Sequence, residues 1–273
     1  MDEPGQNTSD KELLNAVIRK WNQLHDPAQI PELLYHYTTF DGLQGILKEN
    51  ALRATYSRSL NDGSEWEFGK SVVSKYPIPE QAKRDPLPPP TWRSPSPRAM
   101  FVTCFCEDPN LLSMWRSYTN QGGGYCLGFE GRQLDRLQPD ELKVGSYAAR
   151  LVKMYYGDTP PAHMQEVLDC GSHVTANWVL ENMIKHHGFQ EEREWRVIVP
   201  DPPTSLMSFH AAHASIKASV QVGNRHGKLP LTKIVYGPTL RDDAALRQML
   251  TWVLDKHGYH NVVLEASEIP YRL

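Results

Sequence analysis

Short strand-like runs alternate with short amphipathic helical segments along this chain, and this alternation most constrains its fold. The strand-like runs are short and rich in apolar, β-branched residues, and in the segments between these runs apolar residues recur at helical spacing. Because the strands are short and scattered, the pattern favours an α+β domain with a mixed, twisted sheet over a doubly wound parallel one. The predicted strands span 33–38, 51–55, 100–106, 125–130, 150–156, 192–199, 205–210, 233–236 and 261–265, and the predicted helices span 9–25, 39–50, 111–118, 162–187 and 241–256.

The length and charge of the chain limit its architecture and its partners. A chain of 273 residues is long enough for one large domain. We expect residues 1–30 to form an N-terminal helix and linker, and residues 31–273 to form a single α+β domain. The net charge of −3 gives no general attraction to nucleic acid or to an acidic membrane.

The apolar segments and the cysteines predict a cytoplasmic protein without a metal site. No stretch approaches the roughly 18 apolar residues that a membrane span requires, so we expect no membrane association. Cys104, Cys106, Cys126 and Cys170 lack the spacing of a zinc site or of a secreted disulfide framework. Reduced thiols are therefore expected.

A proline-rich segment interrupts the chain between the second and third predicted strands. Residues 77–97 contain eight prolines, which neither a helix nor a central strand accepts. This composition predicts an exposed loop. The loop is either a tolerated insertion or a polyproline ligand for a protein partner.

Two glutamates in the run Glu192-Arg193-Glu194-Trp195-Arg196 form the main candidate site. On a strand, residues two apart point to the same face, so both carboxylates would lie side by side. Like charges on one face are costly unless they serve a cation, a hydroxyl or a proton transfer. The alternative is that Glu192 lies in a loop while Glu194 pairs with an adjacent arginine on an exposed sheet face.

Five separated segments together resemble the bacterial domain of unknown function 2971 family. The resemblance extends from about residue 33 to the end of the chain. The segments are Y-H-Y-T at 35–38, N-D-x-x-E at 61–65, C-F-x-E at 104–107, M-W-x-x-Y at 114–118 and E-x-E-W-R at 192–196. Their order is also similar to that of the ADP-ribosyltransferase superfamily, in which a histidine strand precedes an aromatic ring and a final glutamate.

The second resemblance implies a split sheet and NAD as the substrate. Glu194 would stabilise the cation that forms when the nicotinamide bond breaks, and Glu192 would contact or deprotonate the acceptor. His36 would bind the adenosine ribose and the Tyr37 backbone the nicotinamide amide. Tyr118 or Trp115 would stack on the nicotinamide ring. The remaining cofactor-binding residues are Thr38, which the resemblance implies, and Arg53, which is available for the diphosphate.

The hypothesis that follows is an NAD-dependent ADP-ribosyltransferase or NAD glycohydrolase, a bacterial toxin or phage-defence effector. Its acceptor is nucleic acid, a protein side chain, a small molecule or water. A non-catalytic module that binds a nucleotide or protein is the alternative. A hydrolase that uses the two carboxylates as acid and base ranks last, because no metal ligands or sugar-stacking pattern accompany them.

Several of these candidate site residues could instead have a purely structural role. A strand histidine such as His36 is commonly a hydrogen-bonded structural residue, and Trp115 and Tyr118 share a helix face that is usually core. Asn61, Asp62 and Glu65 form either a turn before a helix or a polar loop over the substrate, with Arg53 and Arg58 available for a diphosphate.

Overall fold

A computed structural model describes residues 6–24, 30–60, 64–76, 99–139, 148–161, 163–169, 173–212 and 215–270. The predicted loop at 77–97, together with Asn61, Asp62 and Cys170, lies outside this part of the chain.

Helices and strands intermix along the chain, which confirms the α+β prediction. The helices are α1 (Gln6–Leu24), α2 (Phe40–Glu49), α3 (Ser64–Val73), α4 (Leu112–Tyr118), α5 (Gly131–Leu134), α6 (Met164–Leu168), α7 (His173–Leu180) and α8 (Ala244–Lys256). The strands are β1 (Leu33–Thr38), β2 (Ala51–Tyr56), β3 (Met100–Phe105), β4 (Tyr125–Glu130), β5 (Arg150–Lys153), β6 (Tyr155–Tyr156), β7 (Ile184–Lys185), β8 (Trp195–Pro200), β9 (Met207–Ala212), β10 (Ser215–Gly223), β11 (Leu231–Tyr236) and β12 (Val263–Ala266).

The strands form two larger sheets and one small one. A four-stranded sheet has the order β1-β4-β11-β12, with a parallel β11–β12 pair beside antiparallel pairs. A six-stranded antiparallel sheet has the order β5-β8-β3-β2-β10-β9. β6 and β7 form a short parallel pair. The Tyr35–Cys106 bridge joins the edge of β1 to the end of β3.

Strands β3 and β8 of the six-stranded sheet are buried on both faces. Phe101, Val197 and Val199 face a core that contains apolar residues of the four-stranded sheet, α2 and α8. Met100 and Ile198, their neighbours in sequence, face a second core with α1, α6 and α7. Burial of successive residues explains why β3 and β8 are continuous apolar runs rather than alternating ones.

The N-terminal helix packs firmly on this second core. Val17, Ile18 and Trp21 are buried there, and Trp21 Nε1 donates a hydrogen bond to the carbonyl of Lys153 over 3.0 Å. Among the described residues, no helix is both long enough and apolar enough to cross a bilayer.

The predicted helix at 162–187 is wrong in its last part. α7 ends at Leu180, and Ile184 and Lys185 then pair with Tyr155 and Tyr156 as β7. This tertiary pairing overrides the local helical pattern. It also brings Lys185 into the candidate site described below.

Candidate functional site

A cavity of about 230 Å³ lies where β1 meets the face of the six-stranded sheet. It collects side chains that are far apart in sequence, from both larger sheets, α4 and the segment before β8. Of the sequence-predicted site residues, it is lined by His36, Tyr37, Arg53, Tyr118, Glu192 and Glu194.

The two glutamates converge, although the predicted reason is wrong. Glu192 ends a 3-10 helix at His187–Glu192, Arg193 adopts a left-handed conformation with φ of 41°, and β8 begins only at Trp195. The carboxylates therefore do not alternate along one strand. They meet because both bind the ammonium of Lys185, at 2.7 Å for Glu192 and 3.0 Å for Glu194.

Glu194 is buried and is hydrogen-bonded through both its carboxylate and its backbone. Only 3 % of the residue is exposed, and its carboxylate accepts hydrogen bonds from Arg196 Nε at 2.6 Å and Arg196 Nη2 at 3.1 Å. Its backbone N–H donates to the hydroxyl of Tyr156 over 2.7 Å. Glu194 thus pairs with Arg196 as one alternative proposed, but the pair is buried rather than on an exposed face.

A third carboxylate completes this buried ion cluster. Glu65, on the first turn of α3, bonds Lys185 Nζ at 2.7 Å and Arg196 Nη2 at 2.6 Å. We call Glu65, Lys185, Glu192, Glu194 and Arg196 the ion cluster. When all five are ionised, three negative and two positive charges give the ion cluster itself one net negative charge, whereas the basic side chains of Arg53 and Lys217 line other parts of the same cavity.

The ion cluster shifts the pKa values of Glu192 and Glu194 in opposite directions. Burial alone would raise the pKa of Glu194, but the charges of Arg196 and Lys185 outweigh it and lower the pKa to about 2. The pKa of Glu192 is raised, because the loss of solvent outweighs the stabilising effect of Lys185. Glu194 is therefore a permanent anion, whereas Glu192 takes up a proton more readily.

The tautomer of His36 follows from its hydrogen bond. Nδ1 lies 2.9 Å from the carbonyl oxygen of Cys104, and because a carbonyl only accepts, Nδ1 carries the proton. Burial lowers the pKa of this imidazole, so the neutral form is favoured. Nε2 is then a hydrogen-bond acceptor.

The backbone of Tyr37 faces the open edge of β1. Tyr35 exchanges both of its backbone hydrogen bonds with Cys106, at 2.8 and 2.9 Å, so its backbone points away from β4. In an antiparallel pair, residues two apart share this direction, and Tyr37 therefore presents its N–H and C=O to the same edge. Its side chain is directed elsewhere: its hydroxyl donates to the carbonyl of Asp108 and accepts from the N–H of Leu111, both at 3.0 Å.

Only one of the two aromatic residues predicted on α4 faces the cavity. Tyr118 is 40 % exposed and lines the cavity, and burial together with nearby negative groups raises its pKa to about 12. Of the two rings offered for stacking on nicotinamide, Trp115 is not available for that contact. Trp115 is fully buried and packs edge-on against Tyr37, with the ring centroids 4.9 Å apart, because its helix face forms core.

A second cavity of about 150 Å³ adjoins the first and shares His36 and Arg53 with it. Thr38 lines this second cavity rather than the first. No carboxylate of the described residues forms a salt bridge with Arg53. Arg58 instead stacks on Trp66, 3.9 Å from the ring centroid, and lines neither cavity.

Two of the segments that carry the family resemblance meet in a structural contact. Trp195 Nε1 donates to the Glu107 carboxylate over 2.9 Å, so the C-F-x-E segment anchors the E-x-E-W-R segment. Sequence reasoning missed Lys185 as a site residue because it stood inside a predicted helix. It placed Glu65 in a turn before a helix or in a polar loop over the substrate, whereas Glu65 lies on the first turn of α3 and binds Lys185 and Arg196.

No group of three or more His, Cys, Asp or Glu side chains within the described ranges is arranged to hold a metal ion. The three carboxylates of the ion cluster are directed at Lys185 and Arg196 instead.

Part of the chain that contributes residues to this cavity matches a known protein family. Residues 114–197 match the model of a family described as a protein of unknown function (DUF2971). The matched segment contains Tyr118, Lys185, Glu192, Glu194 and Arg196. No curated protein and no solved structure is significantly similar to the chain.

Proposed function

We propose that the protein is an NAD-dependent ADP-ribosyltransferase or NAD glycohydrolase. The observation that carries this proposal is the ion cluster, whose carboxylates share one cavity with Tyr118, His36 and the basic side chains of Arg53 and Lys217. The nicotinamide ring of NAD is a planar cation, and an aromatic face beside an anion is a favourable environment for such a group.

The chemistry assigned to Glu194 follows from its fixed charge. When the bond between nicotinamide and ribose breaks, its electron pair leaves with nicotinamide and the ribose carbon becomes an oxocarbenium-like cation. A carboxylate that stays ionised stabilises this charge electrostatically, and one held by Arg196 and Lys185 needs little reorganisation.

Glu192 has the properties of the group that serves the acceptor. The lone pair of the acceptor forms the new bond to the ribose carbon, and the proton of the acceptor passes to Glu192. Because its pKa is raised, Glu192 is a better proton acceptor than Glu194. The acceptor itself is water, a small molecule, a protein side chain or nucleic acid.

The two adjoining cavities suit the two halves of a dinucleotide. The nicotinamide amide would pair with the outward backbone of Tyr37, and the diphosphate would lie on Arg53, which lines both cavities. Nε2 of His36 would accept a hydrogen bond from the adenosine ribose, whereas Thr38 lines the wall of the second cavity. The histidine on β1 of one sheet and the glutamate directly before β8 of the other are compatible with a split-sheet, ADP-ribosyltransferase-like fold.

The proposal also includes where the protein acts and what its activity does to a cell. An enzyme that consumes NAD acts where NAD is present, so we place it in the cytoplasm. The family resemblance supports a bacterial toxin or phage-defence effector, whose effect would come from modifying an acceptor or depleting NAD.

A non-catalytic nucleotide- or protein-binding module is the second candidate, because Glu194 is only 3 % exposed and its oxygens are occupied by Arg196 and Lys185. Such a module would bind NAD in the same cavities without cleaving it.

Nicotinamide release and NAD binding, measured together, separate the two candidates. We expect Glu194→Gln to lose at least about a hundredfold in turnover while it keeps binding NAD, since the lost interaction acts on the transition state. Glu265→Gln, which changes an exposed carboxylate paired with Lys233, serves as the control and should keep full turnover. Binding without release in the unaltered protein would favour the module.

A further inference from the structure

The two edge strands of the six-stranded sheet are β5 and β9, and the edge of β5 is covered by side chains. Trp21 Nε1 of α1 donates a hydrogen bond to the carbonyl of Lys153 over 3.0 Å. Asn22 Nδ2, on the same helix, donates to the carbonyl of Leu151 over 3.1 Å. The N–H of Leu151 in turn donates to the Asp135 carboxylate over 2.8 Å. Side chains thus take the place of a further strand beside β5.

The direction of the backbone groups of β9, at the opposite edge, follows from the ladder of β10. Gly223 of β10 exchanges both of its backbone hydrogen bonds with Gln138, at 2.9 Å each, on the side of β10 away from β2. In an antiparallel pair, residues two apart share this direction, so Lys217 bonds its β9 partner His210. The residues of β9 on either side of His210 therefore direct their N–H and C=O groups outward.

Phe209 and Ala211 supply these outward groups, and the groups are unpaired. Within the described ranges, no strand lies beyond β9, and neither residue has a backbone hydrogen bond outside the β9–β10 ladder. Proteins usually protect an edge strand from pairing with another chain by lysine, proline or a bulge. The sequence of β9, M-S-F-H-A-A, contains neither lysine nor proline, and its register with β10 is regular. The edge of β9 is therefore open to pairing.

The side chains beside this edge are apolar on one face of the sheet. Phe209 is 62 % exposed, and Ile216 of β10 is 72 % exposed. The register pairs Phe209 with Ala218 and Ile216 with Ala211, so the two large side chains are diagonal neighbours on the same face. A strand added beside β9 would cover part of this apolar surface and would also bond the outward backbone groups.

We infer that the β9 edges of two copies of this chain pair in antiparallel orientation about a two-fold axis at Phe209, which joins their six-stranded sheets into one. A two-fold interface brings the same patch of both copies together, so the patch has to be self-complementary. The outward N–H and C=O of Phe209 bond those of the second Phe209, and the two rings lie side by side. Each His210 lies opposite a Ser208, so no like charges face each other. A strongly charged peptide would find no complementary charge on β9.

The oligomeric state of the full-length protein in solution tests this inference. Analytical ultracentrifugation from about 1 to 100 µM should show a reversible dimer. Phe209→Lys should raise the dissociation constant of the dimer at least about tenfold, because it places two like charges opposite each other. Val263→Lys is the matched control, since Val263 is 49 % exposed on β12, the edge strand of the other large sheet. It should change the constant less than about twofold.

A cysteine at the two-fold axis tests the register. Directly opposed residues of an antiparallel pair have Cα atoms about 5.5 Å apart, which a disulfide can span. Phe209→Cys should therefore form a covalent dimer on mild oxidation, whereas Val263→Cys should not. A non-reducing gel measures both, and the unaltered protein shows the background from the native cysteines.

Three results would overturn the inference, and none of them depends on whether NAD is cleaved. The first is a monomer at every concentration. The second is a dimer that Phe209→Lys leaves intact, with thermal melts verifying that the variant is folded. The third is a dimer that Val263→Lys dissociates instead, which would move the interface to β12.

Discussion

At the residue scale, Lys185 holds the candidate site together. Its ammonium bonds Glu65, Glu192 and Glu194 within 3.0 Å, and only 5 % of its side chain is exposed. Burial disfavours the charged form, yet the pKa of Lys185 is raised because the surrounding carboxylates outweigh that effect. Three carboxylates close together in a buried site would repel one another strongly without this cation.

Replacement of Lys185 should therefore destabilise the whole protein. We expect Lys185→Met to lower the free energy of unfolding by roughly 3–5 kcal/mol, the usual cost of removing one partner from a buried ion pair. Lys233→Met is the matched control: it breaks a more exposed pair with Glu265 and should cost no more than about 1 kcal/mol. Urea unfolding measures both, and similar values for the two variants would refute the role given to Lys185.

The lowered pKa of Glu194 makes a prediction about acid stability. Its ordinary pKa of 4.5 falls to about 2 on folding, so the unfolded chain binds the proton more tightly than the folded one. The stabilisation is fully present above pH 4.5 and is lost as the pH falls towards about 2, up to roughly 3 kcal/mol in total.

Glu194→Gln should remove this part of the pH dependence. Unfolding free energies from pH 6 down to about 2.5 in the two proteins would show a steeper acid loss in the unaltered one. Parallel curves would mean that Glu194 does not have a lowered pKa in the folded protein.

At the scale of elements, α2 and α3 each contain a glycine whose surroundings differ. Gly45 of α2 faces open space, whereas a Cβ at Gly69 of α3 would lie 2.2 Å from the carbonyl oxygen of Glu181. This close approach of α3 to the turn before β7 brings Glu65 within reach of Lys185.

Alanine substitution at these two positions should have opposite effects. Gly45→Ala should stabilise the protein by about 0.5–1 kcal/mol through helix propensity alone. Gly69→Ala should destabilise it, because the new methyl group clashes with backbone that has to move. Thermal melts of the two variants provide the measurement, and a stabilised Gly69→Ala would contradict the described packing.

Elements with a local signature were predictable from the sequence. The helix predicted over 39–50 is α2: Thr39 caps it by accepting a hydrogen bond from the N–H of Gly42, and Asn50 ends it in a left-handed conformation. β1, β3, β4 and β11 also lie where apolar or aromatic runs placed them.

Elements that depend on distant partners were not predicted. β10 was missed, although the alternating Ala218, Val220 and Val222 are a recognisable strand signal. β7 has only two residues, and its pairing with β6 is not encoded in any local pattern. Glu192 was predicted to lie in a strand but lies outside β8, because Arg193 turns the backbone before β8 begins.

At the scale of the whole molecule, the site exists because two sheets meet. β1 belongs to the four-stranded sheet, and Arg53 and Arg196 stand on strands of the six-stranded sheet. The Tyr35–Cys106 bridge fixes the edge of the first sheet to the second, which brings His36 within 2.9 Å of the Cys104 carbonyl. Sequence order suggested which residues would take part, but only this assembly brings Lys185 and Glu65 to them.

Nicotinamide release by the unaltered full-length protein decides whether this assembly cleaves NAD as we propose. Purified protein would be incubated with NAD, alone and with cell lysate as a source of acceptors, and free nicotinamide would be measured over time. We expect release that grows with protein concentration and is absent in Glu194→Gln. No release under either condition, from protein that is folded and binds NAD, would contradict it.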